Sequence, residues 1–371
     1  MKKLDGSIIL SAHDLVGHTN CQHLTNMDLM VANGELAKPA KWDPLLEILR
    51  ERGIRHEQAY IKNLQDEGLT ITVIPGVDVD DKSVDLTLDA MKAGHPIIIQ
   101  AALKSGDWIG RADVLRRIEV PSQLSEWSYE IIDTKLARET KGGTVLQLSL
   151  YAELLRSMQG IAPEFIYVVA PWSNFEPQEF RVADYAAFFR KAQKATEAAV
   201  ADDESKSVYP EPKEHCDVCR WSDVCEKRRR DDDHLCLVAN ISKTQITELQ
   251  ARGIGTAKAL GETTIPLPWT PEKGSSASFE KSIAQAKIQV DAREQDKLLY
   301  EIIEQMPDSG LALLPEPSPG DVFFDLEGDS FIVEGGLEYL FGYHYRDDNG
   351  EIVRVADWAF NREEEKTAFE N

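Results

Sequence analysis

The stretch EIIDTKLA, residues 130–137, decides how this chain is read. Its apolar residues favour a β-strand, and side chains along a strand alternate between two faces. Asp133 and Lys135 therefore share one face, while Ile132 and Leu136 share the other. An acid and a lysine on a strand otherwise built for burial are costly unless something binds there. Upstream, GRADVL at 110–115 holds a second lone carboxylate, Asp113, among apolar positions. Paired across a sheet, Asp113 and Asp133 would offer hard oxygen ligands to Mg2+ or Mn2+. Such an ion generates a hydroxide and neutralises charge on a phosphodiester, with Lys135 orienting the water or stabilising the transition state. A cross-strand salt bridge at a sheet edge accounts for the same residues without any chemistry.

Around this strand the pattern predicts a compact α/β unit with a mixed sheet. Residues 96–104 (PIIIQAALK), 108–118 (WIGRADVLRRI) and 127–137 (WSYEIIDTKLA) predict three strands in an antiparallel meander. Residues 144–158 (TVLQLSLYAELLRSM) predict an amphipathic helix, and 164–170 (EFIYVVA) a buried strand. Residues 43–66, opened by Asp-Pro, predict a helix or helix pair, and 183–200 a further helix. His56 falls inside the first of these and could supply an imidazole ligand, although a helical histidine is ordinarily a capped or surface residue. Gln147 and Tyr151 stand four apart and share a helix face, which alone is ordinary packing.

HCDVCRWSDVC at 215–225 places Cys216, Cys219 and Cys225 at spacings that can wrap one metal centre, where a tetrahedral thiolate site needs a fourth ligand. Cys21 in HTNCQHL and Cys236 in HLCLV are the remaining cysteines, and Cys236, flanked by apolar residues, reads as a small buried hydrophobe. Local spacing leaves open zinc held by four cysteines, or by three with His215 or His23. Five cysteines, clustered and odd in number, argue against a secreted disulfide framework and for metal chemistry in a reducing, cytoplasmic compartment. The start, MKKLDGSIILSAHDL, is not that of a signal peptide, and no run approaches the ~20 apolar residues of a bilayer span, so no membrane partner is expected.

At 371 residues the chain is expected to hold two or more domains. Its net charge of −23 lowers the expectation of nucleic-acid contact. A local basic groove decides phosphate contact, however, and LRRIE (115–119) and EKRRR (226–230) are local basic runs. Beyond Cys225 the texture changes. Residues 241–262 resemble a small helix–hairpin–helix with Gly253 and Gly255 in the hairpin, a helical linker with a glycine turn being the plain alternative. Residues 263–280 are linker-like, and 280–305 predict a helix. DVFFDLEGDSF at 321–331 then opens a new strand pattern with Asp325 and Glu327 on one face. The α/β domain begun there is not completed by Asn371, so the chain is expected to be an N-terminal piece of a longer protein.

In their order and on these elements, GIRHE (53–57), GRADVL, IIDTKLA and QLSLY (147–151) resemble the PD-(D/E)xK nuclease superfamily, and within it the RecB-like branch. The resemblance covers roughly residues 8–230. No single motif is specific; the combination is. It implies a restriction-endonuclease-like fold, with His56, Asp113 and Asp133 as metal ligands and the Thr134 carbonyl completing a Mg2+ or Mn2+ site. It implies Lys135 as the catalytic lysine, with Gln147 and Tyr151 positioning DNA or the active site. One departure is that no proline precedes Asp113. Iron–sulfur nucleases of this branch (the AddB type, the CRISPR-associated exonucleases and the nuclease-helicases of replication) place one cysteine before the core and three after it, spaced C-x2-C-x5-C. The resemblance thus implies a structural 4Fe–4S cluster on Cys21, Cys216, Cys219 and Cys225, clamping the first segment to the last.

FFDLEGD resembles the first motif of DEDD-type, ribonuclease-H-like exonucleases, making Asp325 and Glu327 a second candidate site. The whole arrangement looks like bacterial RecB-like nucleases that continue into a helicase, a region implied only by that resemblance. The expected domains are a nuclease with its cluster at 1–235, a helical module and linker at 236–315, and the start of a ribonuclease-H-like domain at 316–371. The expected function is a metal-dependent deoxyribonuclease, acting as an exonuclease on single-stranded DNA ends in repair or recombination. The rival is a non-catalytic, iron–sulfur- or zinc-clamped DNA-binding module of a larger helicase–nuclease. That rival predicts metal-independent DNA affinity and no cleavage.

Overall fold

In the computed structural model all residues are described except 41–43, 138, 202–207, 305, 331 and 333–334. The expected ends of three elements, at 43, 305 and 331, lie outside the described residues. The chain divides into two compact units, Met1–Leu298 and Leu299–Asn371.

The first unit opens with β1 (Lys2–Leu4), β2 (Ser7–Ser11), α1 (Ala12–Asn20) and α2 (Gln22–Ala32). There follow α3 (Pro44–Asp66), β3 (Ile71–Val73), α4 (Asp81–Lys92), β4 (Ile97–Ser105), β5 (Trp108–Ile118) and β6 (Ser128–Thr134). After these come α5 (Gly142–Gln159), β7 (Phe165–Val169), β8 (Gln178–Arg181) and α6 (Val182–Ala201). β4, β5 and β6 form the expected antiparallel meander, and β7 adds to β6 in parallel. The sheet is mixed, ordered β1-β2-β5-β6-β7-β8, with β4 and β3 branching from β5.

Strand alternation builds a core on each face. Ile131 packs with α5 residues such as Leu150 and Leu154, whereas Ile132 packs with Tyr60 and Leu64 of α3. The sheet is thus covered on both sides, with α5 on one and α3 on the other. α5 ends on Gly160 in the left-handed conformation, a C-terminal stop that glycine adopts without steric cost.

Helix α7 (Ser222–Asp231) carries the last of the clustered cysteines. Beyond it, α8 (Lys243–Ala251) and α9 (Ala257–Gly261) make the helix pair expected at 241–262, and they share a small core with α10 (Ser276–Gln295) through Leu249, Leu260, Phe279 and Ile283. Gly253 takes a positive φ in the hairpin, and Gly255 does not. The helix expected at 280–305 instead runs from Ser276 to Gln295. Ser275 caps its start by accepting from the Ser278 N–H, and Asp296 in the left-handed region ends it, so local capping overrides the apolar pattern further on.

The second unit is an antiparallel sheet ordered β11-β10-β9, formed by β9 (Phe323–Asp329), β10 (Leu337–Arg346) and β11 (Ile352–Trp358), with α11 (Arg362–Glu370). β9 is almost wholly exposed, Phe323 and Phe324 included, rather than buried as its apolar residues suggest.

Candidate active site

The site forms where the sheet's regular pairing breaks. The β4–β5 ladder pairs Ile99 with Val114 and Ala101 with Ala112, but skips Gln100 and Asp113 between them. The β5–β6 ladder runs from Ile118 only as far as Val114 opposite Ile132. Asp113 is therefore left outside both ladders. On β4, Ile97 and Ile99 belong to the α3-side core, yet Ala101 and Leu103 join the α5 side with Ile98. The alternation slips by one at Gln100, whose φ of +56° is an uncommon left-handed value for a non-glycine residue. This slip frees the Gln100 and Asp113 side chains from the packed layers.

Four groups gather there. Asp113 Oδ2 accepts from the Thr134 N–H at 3.0 Å and from its hydroxyl at 3.1 Å. Asp133 is 1 % exposed, and Lys135 Nζ, one residue past the end of β6, stands 2.7 Å from its Oδ2. That Oδ2 is buried from solvent, and the carboxyl also hydrogen-bonds Asp113. Burial pushes the Asp133 carboxyl up to about 8; the Asp113 carboxylate pushes the same way, and Lys135 offsets this only in part. Lys135 is raised above its ordinary value: burial pulls it down, but the Asp133 and Asp113 carboxylates outweigh that. The fourth group is Glu57, raised by burial and by the nearby Asp113. Gln100 Nε2 donates to Glu57 Oε1 at 2.6 Å, and Gln100 Oε1 accepts from Arg111 Nε at 3.3 Å. Three acidic side chains gather around Lys135, with Arg111 one hydrogen bond away through Gln100, and a bound cation would favour their ionised forms.

Sequence reasoning missed Glu57 and Gln100, although both left a signal. Glu57 heads the stripe continued by Tyr60, Ile61 and Leu64, the face of α3 that packs on the sheet. Gln100 is a lone amide in an apolar strand.

His56 is placed differently from a free ligand. Its Nε2 bonds the Val169 carbonyl at 3.0 Å, and the same oxygen accepts the Lys135 N–H at 3.1 Å. The ring thus anchors α3 to the end of β7, beside the strand that carries Asp133. Tyr151 lies under the site: burial, then the carboxylates of Asp133 and Asp113, raise its hydroxyl well above the ordinary phenol value, so it stays protonated. Gln147 Nε2 donates to that hydroxyl at 3.4 Å.

The glycine of GRAD is explained by Tyr151. A Cβ on Gly110 would stand 2.5 and 2.7 Å from the Tyr151 ring and 3.2 Å from Leu154 Cδ1. Gly110→Ala is expected to cost about 1–3 kcal/mol by overpacking and to displace Tyr151. A fall in melting temperature of several degrees checks this, and unchanged stability would refute it.

Cys21, Cys216, Cys219 and Cys225 line a single cavity, together with His23, His215, Trp221 and Arg229. Cys21 is brought there by the extended kink between α1 and α2. Buried Trp221 wedges against Leu24 and Met27 of α2 and against Cys225, and its indole N–H donates to Asp28 Oδ1 at 3.2 Å. Backbone N–H groups of Lys213 and Trp221 approach the Cys216 and Cys219 sulfurs at 3.4 Å. Burial raises the Cys219 thiol and pushes the Cys225 thiol up to about 11, and the neighbouring cysteines add to both shifts. Cys236 lies elsewhere, in a cavity with His234, Ile241 and Ile246.

Among the described residues, no group of three or more His, Cys, Asp or Glu side chains has the arrangement of a metal site. At the acids the reason is visible: Asp113 is engaged by Thr134 and Asp133 by Lys135. An ion would have to replace part of these contacts. The donor chemistry fits a hard divalent cation at the acids, where the carboxyl oxygens of Asp113, Asp133 and Glu57 lie near one another. At the cysteines, four thiols line one cavity with His23 and His215, but without the arrangement of a metal centre among the described residues.

Asp325 and Glu327 stand on β9 opposite Gly342 and Leu340, and line a cavity of the second unit with His344.

No curated protein matches this chain. The solved structure described as "Crystal structure of SSO0001" is similar at 14 % identity over 60 % of this chain and 88 % of that one, with a TM-score of 0.27, too low for an argument about fold. The family model described as PD-(D/E)XK nuclease superfamily matches residues 81–226. The matched stretch holds Asp113, Asp133, Lys135, Gln147 and Tyr151, with the three clustered cysteines, but stops short of His56, Glu57 and Cys21. Residues 81–226 of this chain are a nuclease domain of the PD-(D/E)XK superfamily.

Proposed function

We propose that this protein is a metal-dependent deoxyribonuclease that acts as an exonuclease on single-stranded DNA ends, in repair or recombination. The observation that carries the reading is the Asp133 carboxyl, buried against Asp113 and ion-paired with Lys135 in a domain of nuclease type. Asp113, Asp133 and the Thr134 carbonyl would hold the ion, with His56 joining if its Nε2 exchanges the Val169 carbonyl for metal. Bound Mg2+ or Mn2+, the ions nucleases of this superfamily generally use, would lower the pKa of a water and offset charge on the phosphodiester.

The chain's own groups supply the rest. Lys135, charged at neutral pH, holds the attacking water and the developing negative charge near Asp133. Glu57, tied by Gln100 and held above the ordinary carboxylate range, is positioned to take or return a proton in that same volume. Tyr151 and Gln147 form a neutral floor that keeps the acids in place without adding charge.

For the cysteines we infer a structural 4Fe–4S cluster on Cys21, Cys216, Cys219 and Cys225, supported by their spacing and their shared cavity. Asp325 and Glu327 would belong to a second, ribonuclease-H-like site, and a helicase region would be the partner in a longer chain.

The test is cleavage of end-labelled single-stranded DNA by anaerobically purified protein. Mononucleotide release is expected with Mg2+ or Mn2+ and none with a chelator. Metal-independent DNA binding without cleavage would favour the clamped DNA-binding module instead.

A further inference from the structure

Trp172 is the one exposed tryptophan among the described residues of 1–298, at 58 % exposure. It stands three residues past Val169, whose carbonyl receives both the Lys135 N–H and His56 Nε2. Its own indole N–H donates to the Ala137 carbonyl at 3.1 Å, two residues beyond Lys135. The surrounding turn is stiff. Ser173 bonds the Ala170 carbonyl through both its N–H and its hydroxyl, and the Glu176 N–H closes onto the Ser173 carbonyl. Asn174 and Phe175 both hold positive φ, +50° and +65°, an outlier for a bulky aromatic. The Phe175 ring is kept there by stacking on His56 at 6.2 Å and lying against Tyr60 at 6.1 Å. Strain that the surroundings hold in place clusters at sites where position matters.

The indole is therefore fixed to the strand end that bears the lysine, and the turn that bears it is seated on the helix that bears His56 and Glu57. With its polar atom already bonded, it has only its π-face to offer. A nucleobase presents a matching face when it is unpaired, whereas in a duplex both faces are covered by neighbours.

We propose that Trp172 is a substrate-positioning residue that stacks an unpaired base of the strand whose phosphodiester lies at Asp113, Asp133 and Lys135. This rests on the nuclease reading above and deepens it, because a stacking platform at the site selects single strands. The stack fixes the register between base and scissile bond, and so acts on binding more than on the chemical step.

The test uses a fluorescently labelled single-stranded oligodeoxynucleotide, with binding followed by anisotropy in Ca2+ and cleavage followed in Mg2+. Trp172→Ala is expected to weaken binding and raise KM by roughly 10-fold or more, the loss of one base–aromatic stack, with kcat near that of wild type. Trp172→Phe keeps most of the binding, and Phe188→Ala, at an equally exposed aromatic on α6, changes nothing. A set of oligonucleotides with one abasic position each separates stacking from a structural role. One position weakens wild-type binding by a similar factor and has no further effect in Trp172→Ala. A wild type that cleaves, with a flat abasic profile or with Trp172→Ala binding equally well, overturns the platform and leaves the nuclease reading standing. A wild type that neither binds nor cleaves overturns both. Should the Trp172 variants melt well below wild type, the wild-type abasic profile decides alone.

Discussion

Asp133→Ala and Lys135→Ala are each expected to lower single-strand cleavage by ~100- to 1,000-fold, the range typical of losing one transition-state contact in a water-poor site. Residual activity equal to wild type in either variant would remove catalysis from this site. The two changes are expected to differ in stability. Above pH ~8, where Asp133 ionises, Lys135→Ala leaves its 1 %-exposed carboxylate without a counter-charge, so it destabilises the fold. Asp133→Asn replaces an acid that folding must protonate at neutral pH, and should raise the melting temperature of the metal-free protein while abolishing cleavage. A variant more stable than wild type and yet inactive cannot owe its inactivity to unfolding.

The same carboxyl sets a pH dependence. Asp133 titrates near its ordinary value of 3.8 when unfolded and is pushed up to about 8 when folded, so the folded state holds the proton more tightly. Its contribution to stability is complete below pH ~4 and is lost as pH rises through ~8. Metal-free wild type should therefore melt at a lower temperature at pH 8.5 than at pH 6, and Asp133→Asn should flatten that slope. Thermal melts in chelator across this range measure it, and an unchanged slope in the variant would assign the effect to other groups.

The second large effect is expected at the cysteines. Cys21→Ser should cost as much bound iron and sulfide as Cys216→Ser, and both should lose the broad absorbance near ~400 nm of an anaerobic iron–sulfur protein. Cys236→Ser, in a different cavity, should leave both intact. A link that closes a loop of this length is worth about 5 kcal/mol in chain-entropy terms, so the first two variants should melt ~10–20 °C lower. A colourless wild type carrying stoichiometric zinc would replace the cluster with a zinc centre on the same cavity. The Cys21→Ser variant would still discriminate, because four-cysteine ligation needs that residue and a Cys3His centre with His23 or His215 does not.

Much of the nuclease core is legible in local pattern. The three-strand meander, the helix carrying Gln147 and Tyr151, and the buried strand that follows are all found where period-2 alternation or period-3.6 spacing put them, within one to three residues; the strand carrying Asp133 ends at Thr134, not 137. Periodicity works here because every one of these elements buries a face, so the solvent boundary is written into the order of residues. Cys236 stands apart from the other cysteines, but it is half-buried beside His234 rather than the buried hydrophobe its apolar flanks suggest. The helix limit at Gln295 and the exposure of β9 were less legible, since the one depends on a cap and the other on what does or does not cover the strand.

By itself the sequence determined that Asp133 and Lys135, two apart, can meet on one side of the chain, together with the order of the motifs and the cysteine spacing. These depend on chain geometry over a few residues, which is nearly independent of context. Only the tertiary structure decided that Glu57 and Gln100 enter the site, that His56 is bonded to the Val169 carbonyl, and that Cys21 reaches the cavity of the other three. It also decided that the ladders open at Asp113. Each of these is a meeting of groups 13 to about 195 residues apart along the chain, and such meetings are set by how covered faces pack, which no local pattern contains.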